Sequence, residues 1–244
     1  MGRGPAPRVR KACQAPPEQG IDFGRFGWLW WSGKSYKQVS PLPPSSAEIE
    51  LVLIRHGQTT WNIAGRVQGH NDESRLTPEG LAQAAWLAER LAGERVAALW
   101  TSDLQRARQT AEALADGLGL GVRVHPGLRE RNFGSYEGCP VSSLTAEVTG
   151  LAGHVVVDPD VAPPGGESIR QFSERVERAL LEVTGELGSA PPGQRLALVV
   201  HGGTIRVAEA ILAGLPVDRI DWGPVENAAV LRRGFARRLV EEGR

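Results

Sequence analysis

Two turns in this 244-residue chain repeat one pattern. The first reads Leu53-Ile54-Arg55-His56-Gly57-Gln58-Thr59, and the second Val199-Val200-His201-Gly202-Gly203-Thr204. In each, an apolar run of strand length ends in a histidine followed by glycine. Ligands of open α/β sheets bind beyond the carboxyl ends of the strands, and glycine there lets the backbone approach a ligand closely. Gly202-Gly203 leads into a helical stretch whose first N–H groups favour an anion. A single strand-end histidine is more often a satisfied structural residue. Two on matching turns, one of them preceded by arginine, point to chemistry. His70, His125 and His154 lack that setting and read as surface or loop residues.

Two imidazoles and a carboxylate such as Glu130 would suffice for a metal ion. Arg55 beside His56, and Arg106 in the next strand-to-helix turn, argue against one. Guanidinium groups repel a divalent cation, but their forked donors match the oxygens of a phosphoryl group. The set therefore reads as two imidazoles and two arginines around a tetrahedral anion, with no metal. A neutral imidazole can attack phosphorus, and the arginines spread the charge of the transition state. A departing alkoxide needs a proton. Glu130, in Leu128-Arg129-Glu130-Arg131, is a candidate donor; by spacing alone, Glu137 and Glu167 are candidates too.

The elements that must hold these groups follow one another regularly. Ile49–Ile54 reads as a strand covered on both faces. Thr77 and Pro78 mark the cap and first position of a helix with an apolar stripe at Leu81, Ala84, Ala85, Ala88 and Leu91. Val96–Trp100 reads as a second strand. Ser102 is expected to cap the helix that carries Arg106, and Val122–His125 reads as a third strand. Ser168–Leu187 is a long amphipathic helix with Ile169, Phe172, Val176, Leu180 and Val183 on one side. Leu196–Val200 and Thr204–Ala213 add a last strand and helix. Strands alternating with helices mean an α/β fold, a mainly parallel sheet with helices on both faces.

The chain carries 28 basic and 28 acidic residues, so it lacks the positive excess on which a nucleic-acid binder depends. No run of about 18 apolar residues exists to span a membrane. Residues 1–47 differ from the rest. They hold all three lysines, seven prolines and the apolar patch Phe23–Trp31, and read as a disordered basic extension. Its tryptophans beside basic residues are the one hint of an interfacial anchor. Residues 48–244 read as the folded domain. Two cysteines far apart, Cys13 and Cys139, suggest a cytoplasmic protein, with Cys139 an inert loop thiol. Arg232-Arg233 reads as solvated surface.

The motifs resemble those of the histidine phosphatase superfamily, also called phosphoglycerate-mutase-like. They are Arg55-His56-Gly57-Gln58-Thr59-Thr60-Trp61-Asn62, Gln68-Gly69-His70, Leu76-Thr77-Pro78-Glu79-Gly80 and Thr101-Ser102-Asp103-Leu104-Gln105-Arg106-Ala107. Glu130 with Phe133-Gly134 and Glu137-Gly138, and His201-Gly202-Gly203-Thr204-Ile205-Arg206, complete the set. The resemblance implies a three-layer α/β/α sandwich and a phosphohistidine intermediate on His56. It implies a phosphate pocket of Arg55, Arg106 and His201, with Glu130 as proton donor and then base. Gly57, Thr59, Asn62, Gln68, Gly69 and Gly202 are implied phosphate or substrate contacts. No metal or other cofactor is implied.

Mutases of the superfamily typically show Glu-Arg-His-Tyr-Gly at the acid loop, a sizeable insert after it, and His-Gly-Asn at the last motif. Here the acid loop reads Glu130-Arg131-Asn132-Phe133-Gly134, the stretch from Gly138 to Glu167 is short, and Gly203 replaces the asparagine. These departures favour hydrolysis of a small soluble phosphomonoester. A cofactor-dependent phosphoglycerate mutase, or a non-catalytic phosphate-binding member, is the alternative. Residues 139–167 are expected to form a lid over the leaving group. No Lys or Arg lies between Arg131 and Arg170, which disfavours a second phosphate.

Overall fold

A computed structural model describes residues 48–187 and 193–236. The basic extension, residues 1–47, and the last eight residues lie outside it. Five strands form one sheet in the order β3-β2-β6-β1-β7. They are β1 (Glu48–Arg55), β2 (Val96–Thr101), β3 (Val122–Val124), β6 (Arg195–Val200) and β7 (Val230–Ala236). β1, β2, β3 and β6 are parallel, and β7 is an antiparallel edge on β1. A separate two-stranded hairpin pairs β4 (Leu151–Ala152) with β5 (Val155–Val156).

The apolar runs of β1 and β6 are long because both faces are covered. Leu51 and Leu53, with Leu196, Leu198 and Val200, pack under α5 (Ile169–Gly185) and α6 (Gly202–Leu212). Val52 and Ile54, with Ala197 and Val199, pack under α2 (Pro78–Leu91) and α3 (Gln105–Leu118). The result is the three-layer α/β/α sandwich that the motifs implied. Two further short helices, α1 (Thr60–Ile63) and α4 (Ala146–Thr149), lie in the loops.

Local chemistry places the helix starts. Thr77 accepts from the Gly80 N–H with Pro78 behind it, and Ser168 and Gln171 form a reciprocal capping box at α5. The α5 stripe is buried as its spacing predicts. Two expectations need correction. In α2 the buried residues are Gly80, Ala84, Leu87 and Leu91, while Leu81 faces solvent. At α3 the cap position is Leu104, which has no side-chain bond to give. Asp72, from the preceding loop, accepts from the Gln105 N–H at 2.7 Å instead, which frees Ser102.

Candidate active site

His56 and His201 follow the carboxyl ends of β1 and β6, which are neighbours in the sheet. That adjacency brings the two rings to 5.2 Å between centroids, inclined at 60°. His56 is 2% and His201 0% exposed. The His56 Nδ1 lies 2.7 Å from the Gly57 carbonyl oxygen. A carbonyl only accepts, so Nδ1 carries the hydrogen and Nε2 keeps its lone pair. The His56 N–H and C=O are themselves tied, to the Val200 carbonyl and the Asn227 side-chain amide. Ala228, whose N–H also reaches the His56 carbonyl, holds a left-handed φ of 58°, a local strain of about 1 kcal/mol placed against His56.

Burial is the largest cause that pushes the His56 imidazole pKa well below 6.5, and the Arg106 and Arg55 guanidiniums push it further. His201 is lowered in the same way, by burial first and then by Arg106, His56 and Arg55. Both rings are therefore neutral at pH 7. The unfolded chain binds more protons than the folded one below pH 6.5, so stability is full above that pH and is lost as pH falls through it. The slope is about 1.4 kcal/mol per pH unit for each ring held neutral. Thermal melts of wild type should drop steeply between pH 6.5 and 5, and His201→Gln should flatten the curve. An equal slope in the variant would refute this origin.

Arg106 is 0% exposed and points two donors inward, to the Gly69 carbonyl at 2.8 Å and the Asn71 carbonyl at 3.1 Å. Burial lowers its pKa to about 10, which leaves it charged at neutral pH. Arg55 bonds the Val225 carbonyl. His201 Nε2 lies 2.7 Å from the Ser102 hydroxyl. Beyond those bonds, Arg55 Nε, Arg106 Nε and His201 Nδ1 are buried with no partner among the described residues. Buried polar atoms are seldom left so; three around one imidazole make a cradle for an acceptor-rich anion.

Glu130 enters from the acid loop. Its Oε2 accepts from the Gly203 N–H at 3.0 Å and its Oε1 from the Arg131 N–H at 2.9 Å. Gly203 must be glycine for this: a Cβ there would stand 2.3 Å from Glu130 Oε1. The other two carboxylates are used elsewhere. Glu137 accepts from the His70 and Phe133 N–H groups, and burial raises its pKa. Glu167 is paired with Arg175 and accepts from the Asn132 N–H.

A cavity of about 240 Å³ is lined by His56, Arg55, Arg106, Glu130, Gln68 and Gly69, together with Arg66, Val67, Phe133, Val141 and Leu144. His201, fully buried beside His56, is not in this lining. Four residues expected to contact phosphate are not in the lining. Gly57 packs against α2, where a Cβ would stand 2.4 Å from the Gly80 carbonyl oxygen. Thr59 and Asn62 cap each other at α1, and Asn62 Oδ1 also accepts from Asn227. Gly202 opens α6 beside the Arg55 guanidinium. Of the expected lid, only Val141 and Leu144 line the cavity. The β4–β5 hairpin turns away, and the Trp222 N–H bonds the His154 carbonyl. A larger open groove of about 520 Å³, between α5 and the His125 turn, carries mixed charges and no nucleophile.

Sequence reasoning missed several supporting residues. His70 is no surface residue: its Nε2–H donates to the Glu130 carbonyl at 2.9 Å, and Arg175 donates to the same oxygen at 3.0 Å. Burial lowers the His70 pKa, which keeps the ring neutral. Ser102 lies 2.7 Å from His201 Nε2, and the Asn227 amide donates to the His56 carbonyl at 3.2 Å. Cys139 is buried beside the acid loop. Among the described residues no His, Cys, Asp and Glu cluster suits a metal ion, and no helix is long and apolar enough to cross a membrane.

The profile of the histidine phosphatase superfamily (branch 1) matches residues 51–239. Proteins named phosphoglycerate mutase GpmB, from Yersinia pestis (strain Pestoides F) and Cronobacter sakazakii, are 38% and 37% identical. Each alignment covers 69% of this chain and 76% of the relative. A mycobacterial glucosyl-3-phosphoglycerate phosphatase solved with VO3 aligns with a TM-score of 0.65 at 33% identity, over 75% of this chain and 90% of its own. A mutant phosphoserine phosphatase of Entamoeba histolytica with phosphoserine aligns with a TM-score of 0.65 at 27% identity, over 75% and 89%.

Proposed function

The chain belongs to branch 1 of the histidine phosphatase superfamily, and from that premise we propose that it hydrolyses small soluble phosphomonoesters through a phosphohistidine on His56. The observation that carries the reading is the cradle of unpaired nitrogens on Arg55, Arg106 and His201 around a buried neutral imidazole. His56 Nε2 attacks phosphorus and the bond to the leaving oxygen breaks. The Glu130 carboxyl gives that oxygen its proton. The Glu130 carboxylate then takes a proton from water as the water oxygen attacks phosphorus, and the bond to Nε2 breaks. Phosphate leaves and the imidazole is restored. The arginines follow the charge on the non-bridging oxygens throughout.

No step calls for a metal. Phosphate release from p-nitrophenyl phosphate should therefore be unchanged by excess EDTA; a chelator-dependent loss, restored by a divalent ion, would overturn this part. The relatives named mutases support a second reading, isomerisation of phosphoglycerate. Against it stand the acid loop and Gly203, which depart from the mutase pattern. With 3-phosphoglycerate, phosphate release should outrun isomerisation whether or not 2,3-bisphosphoglycerate is present. The reverse order would select the mutase.

A further inference from the structure

The chemistry of the leaving group can be read from the rest of the cavity wall; this inference rests on the hydrolase reading above. Away from Arg55, Arg106, His56 and Glu130, the wall consists of Arg66, Val67, Gln68, Gly69, Phe133, Val141 and Leu144. Val67, Phe133, Val141 and Leu144 are apolar. Gln68 is engaged through its Oε1 alone, which lies 3.1 Å from the Thr59 hydroxyl. A polyhydroxylated leaving group would bring several hydroxyls to a wall with few partners, and each one left unpaired there weakens binding.

Arg66 and Val141 are held on one rim. The Val141 N–H bonds the Gly65 carbonyl at 2.8 Å, and the Val67 N–H bonds the Cys139 carbonyl at 2.9 Å, so the two segments are zipped together. Arg66 and Pro140 form the bridge between them. Val141 is apolar yet 53% exposed at this rim. The Arg66 guanidinium makes no ion pair or side-chain hydrogen bond among the described residues. Glu130 is the sole carboxylate in the lining.

We infer that the site accepts phosphomonoesters whose leaving group is a compact apolar body bearing one carboxylate, which pairs with Arg66, rather than a sugar or other polyol. One cation at the rim matches one negative charge, and the valine, leucine and phenylalanine walls match the body between that charge and the phosphoryl group.

The test compares kcat/KM of the full chain on benzyl phosphate, 4-carboxybenzyl phosphate and glucose 6-phosphate, all primary alkyl phosphates with similar bonds to break. The carboxylate should raise kcat/KM about fivefold over benzyl phosphate, as expected of a single rim ion pair. Glucose 6-phosphate should fall about tenfold below benzyl phosphate. In Arg66→Met the carboxylate advantage should vanish, and Arg66→Lys should restore part of it. Leu144→Asn should narrow the gap between benzyl phosphate and glucose 6-phosphate. A carboxylate advantage that survives Arg66→Met, or glucose 6-phosphate equal to benzyl phosphate, would overturn the inference while hydrolysis stands. Failure on all three with p-nitrophenyl phosphate still cleaved would also overturn the inference alone. Failure on p-nitrophenyl phosphate as well would remove the hydrolase reading and the inference with it.

Discussion

Replacing His56 by alanine should lower kcat/KM by at least about 10⁴-fold on every phosphomonoester, because it removes the group that takes the phosphoryl. Nothing nearby can substitute. His201 is the neighbouring ring, but its Nε2 is engaged with Ser102, and it is not among the residues lining the cavity. Rapid-quench labelling with [³²P]phosphomonoester should give acid-labile, base-stable protein-bound phosphate in wild type and none in the variant. The variant should still fold, since a small side chain relieves the burial of a titratable ring. Its melt at pH 5 should lie closer to its melt at pH 7 than in wild type. A folded His56→Ala chain that retains turnover, or wild-type label that resists acid, would end the nucleophile assignment.

Glu130→Gln should have the next largest effect, and one that depends on the leaving group. For alkyl phosphates kcat/KM should fall about 10²–10⁴-fold, the usual worth of a positioned general acid. For p-nitrophenyl phosphate, whose p-nitrophenolate departs without a proton, kcat/KM should change far less. The glutamine is a fair probe because its amide oxygen can still accept from the Gly203 N–H, so the acid loop keeps its anchor. Loss of the base that activates water should also slow the second step. A burst of p-nitrophenol, with phosphoenzyme accumulating behind it, is therefore expected in the variant. Equal losses on both classes of substrate would count against the acid role.

Much of the fold was legible because its signals are local. The apolar runs of β1 and β6, the Thr77-Pro78 start of α2 and the Ser168–Gln171 box of α5 depend on neighbours in sequence. So did the two histidine turns, whose shared form anticipated their shared location. What escaped depends on distant partners. β7 was missed because Arg232-Arg233 looks like solvated surface. In the fold, Arg232 bonds Glu94 at 2.5 Å and also pairs with Glu50, while Arg233 pairs with Glu209. Those ion pairs let an edge strand carry consecutive arginines. Ser102 sits at a spacing that suggests a cap, yet Asp72 reaches across to do that work. His70 looked idle because its partner is a carbonyl 60 positions away. Arg66 gave no signal until its segment was seen paired with residues 139–141.

β6 is the last parallel strand made, yet it lies between β1 and β2. It separates β1 (Glu48–Arg55) from β2 (Val96–Thr101), both made well before Arg195, so the first half of the chain has no central strand on which to close. His201, at the far end of that strand, reaches His56 only once the gap is filled. In synthesis, therefore, β1 and β2 have no shared neighbour until residues 195–200 are made, and His201 comes immediately after them.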